Sequence, residues 1–426
     1  MTVKPVERRE ALATGAALAS GLLVSSSSSA AAAAAATDSI AAGVVDPATA
    51  AAFSSSSFDP LTSSRSVVAV DSHAAIPVWP SWAGGRVIPI PLGGAGADPF
   101  LLLAHHDHWF DPNDPLRQPF KAIGKVLGLP YVDVEGFSMH PHRGFDILTY
   151  VLDGSDGFRH RDSLGGEPRT YRGGSAQWMR TGSGVLHEEF WETSPDRRTN
   201  IELFQLWVNL PATHKFDSPA IQYLGKETES EWLQHDIVDP ESSRKVGSVR
   251  NIGATLDRAI ASQAKETGLQ GKDTNENDTK DAVGRARQRP PVQIMHVTID
   301  PGARWTVEAP LEHSALIYVR KGSANLRGIA GDKVLAKSQQ TATFGHNGGT
   351  ITIENAASEN KRDKKPLDFL LLMAMPLKES VAQAGPIVMN SAAEVNDAYQ
   401  QLEDGTFLDR DHAIRQQRAH TRSARM

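Results

Sequence analysis

Hydrophobic residues recur along this chain with a period of two, in short runs closed by turn residues. Phe204, Leu206, Val208 and Leu210 share one face of a predicted strand, and Gln205, Trp207 and Asn209 share the other. A polar face that carries a tryptophan points to a lined cavity or a second buried surface rather than open solvent. Residues 145–152 read as another strand, closed by the turn signal Asp153-Gly154. From Val67 to about Gly225 such runs alternate with Gly, Pro and Asp turns. They resume at 292–299 and continue through 314–320, 350–353 and 369–374. The stretch 265–281 between the two series is almost wholly polar. It cannot bury enough apolar surface to offset its ordering entropy, so a disordered insertion is expected at about 257–290. Val395, Ala398, Tyr399 and Leu402 fall on one stripe of a helix predicted over 392–402. Two halves with the same grammar predict an all-β protein, an internally duplicated β-barrel or jelly roll.

Composition narrows this picture. The 426 residues correspond to two or three domains at roughly 150 residues each. The 35 glycines and 25 prolines favour turns over long helices. The chain has no cysteine, which excludes disulfides, thiolate metal sites, iron–sulfur clusters and thiol nucleophiles. Any metal must be held by His, Asp or Glu, and 15 histidines leave that open. A net charge of −6 supplies no polycation for phosphate backbones, so direct nucleic-acid binding is not expected.

Residues 1–66 read apart from the rest. Lys4, Arg8 and Arg9 precede an apolar-small stretch from Ala11 to Val24, followed by Ser25 to Ser29 and Ala30 to Ala36. The layout resembles a secretory signal or organellar transit segment, although Glu7 and Glu10 depart from both. The alternative is a low-complexity disordered end without an address, in a cytoplasmic or nuclear protein. The apolar stretch is too short for a membrane span. At the other end Arg410, Arg415, Arg418, Arg422 and Arg425 form a basic tail over 411–426. A solvated end is expected there, with a nuclear address or a site for an acidic partner as the alternative.

Two stretches carry candidate chemistry. In the first, His140 and His142 stand at i and i+2, which on a strand points both imidazoles to one face. In the second, His187 and Glu189 share a face by the same rule, and Glu188 points away. If both are strands of one barrel, three imidazoles and a carboxylate converge on its interior. Four N/O ligands favour an octahedral metal with two open positions, as in non-haem Fe(II) sites, and the ligand types equally admit Mn, Ni, Cu or Zn. Each pair has a plainer reading: His140 and His142 as turn or core histidines, His187 with Glu189 as a surface ion pair. The cluster His105-His106-Asp107-His108 is a weaker candidate for a second metal. The expectation there is a polar rim near the barrel mouth.

Several motifs in order resemble the pirin family of the cupin superfamily. They are Asp98-Pro-Phe-Leu-Leu-Leu103, His140-Pro-His-Arg-Gly-Phe-Asp146, His160-Arg-Asp-Ser-Leu-Gly165, Gln177-Trp-Met-Arg-Thr-Gly-Ser-Gly-Val-Leu-His-Glu-Glu189, Gln205-Leu-Trp-Val-Asn-Leu210 and Gly385-Pro-Ile-Val-Met-Asn390. The resemblance implies two cupin-type β-barrels packed together with a short C-terminal helix. A metal-binding barrel would span 67–235, and a second barrel without metal 236–410. It also implies one iron per chain on His140, His142, His187 and Glu189, and a monomer. Asp146 departs from the family's usual Glu and leaves room for a fifth, weak carboxylate contact. In the second barrel His313 has no His-x-His partner, and His346 has no carboxylate two residues on.

Two functions follow from the resemblance. One is a quercetin 2,3-dioxygenase-like enzyme, cleaving a flavonol with O2, with Glu189 as general base for the substrate hydroxyl. The other is an iron-dependent redox-sensing regulator that binds transcription regulators or other protein partners without catalysis. A metal-bound cupin acting on some other substrate is a third reading. Phe137, Phe145, Trp178 and Met179 lie beside the ligands, as pocket wall or as ordinary barrel core.

Overall fold

The computed structural model describes residues 64–77, 84–94, 96–113, 136–225, 233–253, 292–356 and 365–423. The expected leader (apart from residues 64–66), the insertion at about 257–290 and the last three residues of the basic tail lie outside them.

Two β-sandwiches of the jelly-roll kind make up the described chain, each pairing a seven-stranded sheet with a four-stranded one. In the first, the large sheet runs Ala220–Gly225, Ser175–Arg180, Phe145–Val151, Thr199–Asn209, Phe100–Phe110, Arg86–Pro91, Ile76–Pro77. The small sheet runs Gly136–His142, Val185–Trp191, Phe158–Asp162, Arg169–Tyr171. In the second, the large sheet runs Val67–Ser72, Gln340–Phe344, Ser314–Lys321, Leu367–Ala374, Val292–Ile299, Lys245–Gly253, Leu233–Val238. Its small sheet runs Arg304–Glu308, Thr350–Asn355, Ser323–Arg327, Lys333–Lys337. Among the described residues no helix is long and apolar enough to cross a membrane.

The two large sheets pack against each other, so their central strands are buried on both faces. On Thr199–Asn209, Phe204, Leu206 and Val208 meet Leu316, Tyr318, Leu370 and Leu372 of the other sandwich. On Leu367–Ala374, alternate residues Phe369, Leu371 and Met373 turn into the second sandwich instead. Two buried faces explain why these strands read as continuous apolar runs. The second interior is filled by one apolar cluster that includes Val297, Ile299, Ile317, Val319 and Phe369. The first interior holds two separate clusters. Phe110, Phe158, Tyr171 and Trp191 gather in one; Phe145, Ile147, Met179 and Trp207 gather in the other. The Gln205–Trp207–Asn209 face lines this first interior, as its composition implied.

The expected boundaries shift at two points. Val67–Ser72, counted from sequence with the first barrel, pairs antiparallel with Gln340–Phe344 of the second. Just before it, the buried Arg65 guanidinium donates to the carbonyls of Gly348, His313, Ala309 and Pro310, all in the second sandwich. The division at 235/236 falls inside Leu233–Val238, which belongs wholly to the second sandwich.

A polar chain also joins the sandwiches. Arg320 donates to both oxygens of Glu202 across the interface and to Asp368 on its own side, at 2.6 Å each. His105 touches Glu202 and the Tyr318 hydroxyl. Burial alone would raise the Glu202 carboxyl, but hydrogen bonds from His105 and Arg320 hold it well below the usual carboxylate range. Removing one partner of such a network strands the others. Arg320→Met should cost about 3–5 kcal/mol in urea unfolding. A loss under about 1 kcal/mol would show that the pairs only offset their own desolvation.

The C-terminal segment is stitched to the first sandwich beside His142. Arg143 N–H donates to the Pro386 carbonyl, and Val388 N–H donates to Arg143 O. The buried Arg143 guanidinium donates to Gln401 Oε1 and the Phe407 carbonyl and lies 4.2 Å over the Phe407 ring. Lys215 Nζ donates to Gly144 O, Asn209 Oδ1 and Val388 O. Gly144 sits at φ +87, and a Cβ there would stand 2.0 Å from Val388 O, so this approach requires glycine. The expected helix is α1, Ala392–Asp404, capped by the Ser391 side chain, which accepts from Glu394 N–H. Val395 and Ala398 are buried, with Tyr399 and Leu402 packed beside them. The basic tail is not simply solvated. Helix α2, Arg410–Ser423, buries Ala413, and Arg410 donates to the Phe216 carbonyl.

Candidate metal centre

The small sheet of the first sandwich brings the histidines together. Val185–Trp191 runs antiparallel to Gly136–His142, with His187 opposite His140 and Val185 opposite His142. Period two then turns all three imidazoles inward, where each is buried. Ring centroids lie 4.3 Å apart for His140 and His187, 4.7 Å for His140 and His142, and 4.8 Å for His142 and His187. One potential ligand atom from each falls within 4.8 Å of the others.

Their protonation suits a metal. Burial pushes the His140 imidazole down to about 4 against the opposing Ser138 hydrogen bond. His142 and His187 are pushed well below the ordinary value by burial, and then by neighbouring imidazoles. All three are therefore neutral at pH 7. His140 Nδ1–H donates to the Ser138 carbonyl at 2.8 Å, which leaves its lone pair on Nε2. His187 Nδ1 is engaged by His160 Nε2 at 3.1 Å, while His187 Nε2 is buried without a hydrogen-bond partner among the described residues. A buried, orphaned imidazole nitrogen beside two other neutral imidazoles fits a transition-metal ion.

His160 is a part of the site to which sequence reading gave no role. It stands opposite Glu189 on Phe158–Asp162, and its Nδ1 faces Asp162 Oδ2 at 3.5 Å. The His160 contact can fix the orientation and tautomer of His187; the approach of His160 Nδ1 to Asp162 is not a hydrogen bond. The signal was present: Phe158 and His160 alternate inward on a short strand.

Glu189 shares the inward face and is buried, but it lies outside the three-histidine group. Opposite His187 and Glu189 the strand Gly136–His142 carries one extra residue, so Glu189 pairs with Phe137 while keeping its step with His187 on its own strand. Burial raises its carboxyl to about 7, opposed by hydrogen bonds with Gln205 and Thr149. Gln205 Nε2 donates to Glu189 Oε2 at 3.1 Å.

Other expectations sort by face. Asp146 does not turn toward the histidines. It accepts from Trp178 Nε1 at 3.0 Å, and Trp178 packs between the sandwiches, so neither belongs to the site wall. Phe145 and Phe137 do line it, with ring centroids 5.4 Å from His142 and 6.3 Å from His140. Met179 packs with Phe145 and Trp207. The cluster at 105–108 is not a rim. His105 joins the interface network, while His106 and His108 are buried inside the first sandwich. In the second sandwich His346 bonds the Leu311 carbonyl, and His313 lies beside Arg65.

Known proteins share this arrangement of domains. The family profile described as Pirin matches residues 97–208, and the one described as Pirin C-terminal cupin domain matches residues 294–408. A Vibrio cholerae protein named "Putative quercetin 2,3-dioxygenase" is 30% identical over 300 residues, 69% of this chain and 88% of its own length. Pirin-1 of Arabidopsis thaliana is 30% identical over 273 residues, 63% of this chain and 78% of its own. A crystal structure of quercetin 2,3-dioxygenase from Acinetobacter baumannii has a TM-score of 0.58 at 22% identity. It covers 81% of this chain and 99% of its own, a likeness of fold. With both halves matched in order and the two sandwiches joined as described, the chain belongs to the pirin family of bicupins.

Proposed function

We propose that the first sandwich holds one Fe(II) on His140, His142 and His187, with Glu189 as the fourth ligand, and cleaves a quercetin-type flavonol with O2. The observation that carries this reading is the grouping of three neutral, buried imidazoles beside a buried carboxyl, where the apolar filling of the sandwich is interrupted. Bound iron would supply the redox chemistry by which O2 reacts with a closed-shell organic substrate. The chain's own residues supply the rest. Glu189, poised near neutrality, takes the hydroxyl proton of the substrate on a carboxylate oxygen. Gln205 and Thr149 hold that carboxylate in place. Phe137, Phe145, Met179 and Trp207 form apolar walls that limit water. The protein is proposed to act as a monomer.

The test is oxygen uptake by iron-loaded protein with quercetin, compared with Glu189→Gln. The wild type should consume O2. The variant should keep most of its iron on the three imidazoles and lose about 10²–10⁴ in turnover. Unchanged turnover would remove Glu189 from the chemistry. No uptake with any flavonol would leave the regulatory, partner-binding reading in place of the enzyme.

A further inference from the structure

Inside the first sandwich, away from the three-histidine group, a second pair of buried histidines has a fixed polarity. His108 Nδ1 lies 3.0 Å from the Gly84 carbonyl, and a carbonyl only accepts. His108 therefore carries its proton on Nδ1. Burial lowers its imidazole to about 4, so it is neutral and Nε2 bears a lone pair. That lone pair lies 2.9 Å from His106 Nδ1, which must then be the donor. His106 is itself held neutral by burial, so its one proton is used in this bond. The chain ends in a lone pair on His106 Nε2. Among the described residues this atom has no hydrogen-bond partner, on a residue only 7% exposed.

The surroundings of His106 are aromatic. Its ring lies 6.2 Å from Phe137, edge to face, and 6.0 Å from Trp191. Phe137 in turn faces the metal-site residue His140. Trp191 follows His187 and Glu189 on the inward face of the same strand. His106 thus presents an acceptor in a ring-lined region next to the Glu189 layer. An apolar partner would leave this lone pair unsatisfied, and a carbonyl would oppose it. A ligand matches it by donating a proton from an aromatic ring.

We propose that His106 is a substrate-positioning residue whose Nε2 accepts a hydrogen bond from a phenolic hydroxyl of the ligand, with that ring packed against the edge of the Phe137–Trp191 pair. This rests on the reading of the sandwich as a site for a hydroxylated aromatic substrate. It adds that one hydroxyl is recognised away from the metal, by a tautomer fixed from Gly84 through His108.

The experiment uses phenol and its methyl ether, anisole, as probes on the full-length protein, by calorimetry. Wild type should bind phenol at least tenfold more tightly than anisole. His106→Phe should abolish that preference, and His106→Gln, which keeps an acceptor, should retain much of it. Long-range 1H–15N NMR of the imidazoles gives a second readout that needs no variant. Both His106 and His108 should be Nδ1–H tautomers. An Nε2–H tautomer at His106, a wild type that does not prefer phenol, or a preference that survives in His106→Phe would each overturn the proposal. A phenol preference carried by His106, without O2 uptake on quercetin, would uphold this subsite while the dioxygenase reading fell.

Discussion

His142→Ala should purify with less than a tenth of the iron of the wild type and show no quercetin-dependent O2 uptake. The imidazole it removes stands in a triangle of buried rings, each 4.3–4.8 Å from the next. Two imidazoles and a carboxyl outside the group form a much poorer site. Changes even to the partners that orient ligands commonly cost 10–100-fold in affinity, and loss of a ligand costs more. The fold should survive, because His142 packs against Phe145 and Trp207, which belong to an apolar cluster of their own. Near-UV circular dichroism should therefore match that of metal-free wild type. His160→Ala is the graded companion. It removes the contact to His187 Nδ1 but no ligand, so iron should bind more weakly without being lost. Full iron content in His142→Ala would mean that the metal is held elsewhere.

The metal-free protein should unfold cooperatively in mild acid, before its exposed carboxylates titrate. His108 and His140 are each lowered to about 4 from an ordinary 6.5, with burial as the leading cause. The sign follows from proton counting. Between pH 6.5 and 4 the unfolded chain takes up a proton at each of these positions and the folded chain does not, so stability falls as pH falls. At one proton per site the loss is roughly 3 kcal/mol for each of the two by pH 4. His106, His142, His160 and His187 are lowered as well and act in the same direction, while Glu189, raised to about 7, opposes them as a single group. A domain's whole stability is about 5–15 kcal/mol, so the midpoint should fall near pH 5. A bound metal holds the imidazoles deprotonated and should move the midpoint lower. A thermal midpoint that stays flat from pH 7 to 4.5 would contradict the burial of these histidines in the folded state.

The histidine triangle was legible because a short strand with one inward face obeys period two. That rule put His140, His142 and His187 together, and it put Gln205 and Trp207 on the interior wall. It gave less where strands are buried on both sides. Asp146 and Trp178 lie on strands covered by both the site and the second sandwich, so sequence showed no polar face by which to orient them. The same holds for Phe100–Phe110, where His105 and His106 are neighbours in sequence but serve different layers. The extra residue that Gly136–His142 inserts opposite His187 and Glu189 is a feature of strand pairing, and the period-two rule does not show it. The pairing of Val67–Ser72 with Gln340–Phe344 is a contact between distant parts of the chain, and no local pattern encodes it.

In the proposed function, one metal in the first sandwich makes the protein an oxygenase. This is tested most directly by titrating metal-free protein with Fe(II) without oxygen, then adding quercetin and O2 at each point. Oxygen uptake should rise in proportion to iron and break sharply at one iron per chain. Uptake that is absent at full loading, or that rises without a break at one equivalent, would contradict it.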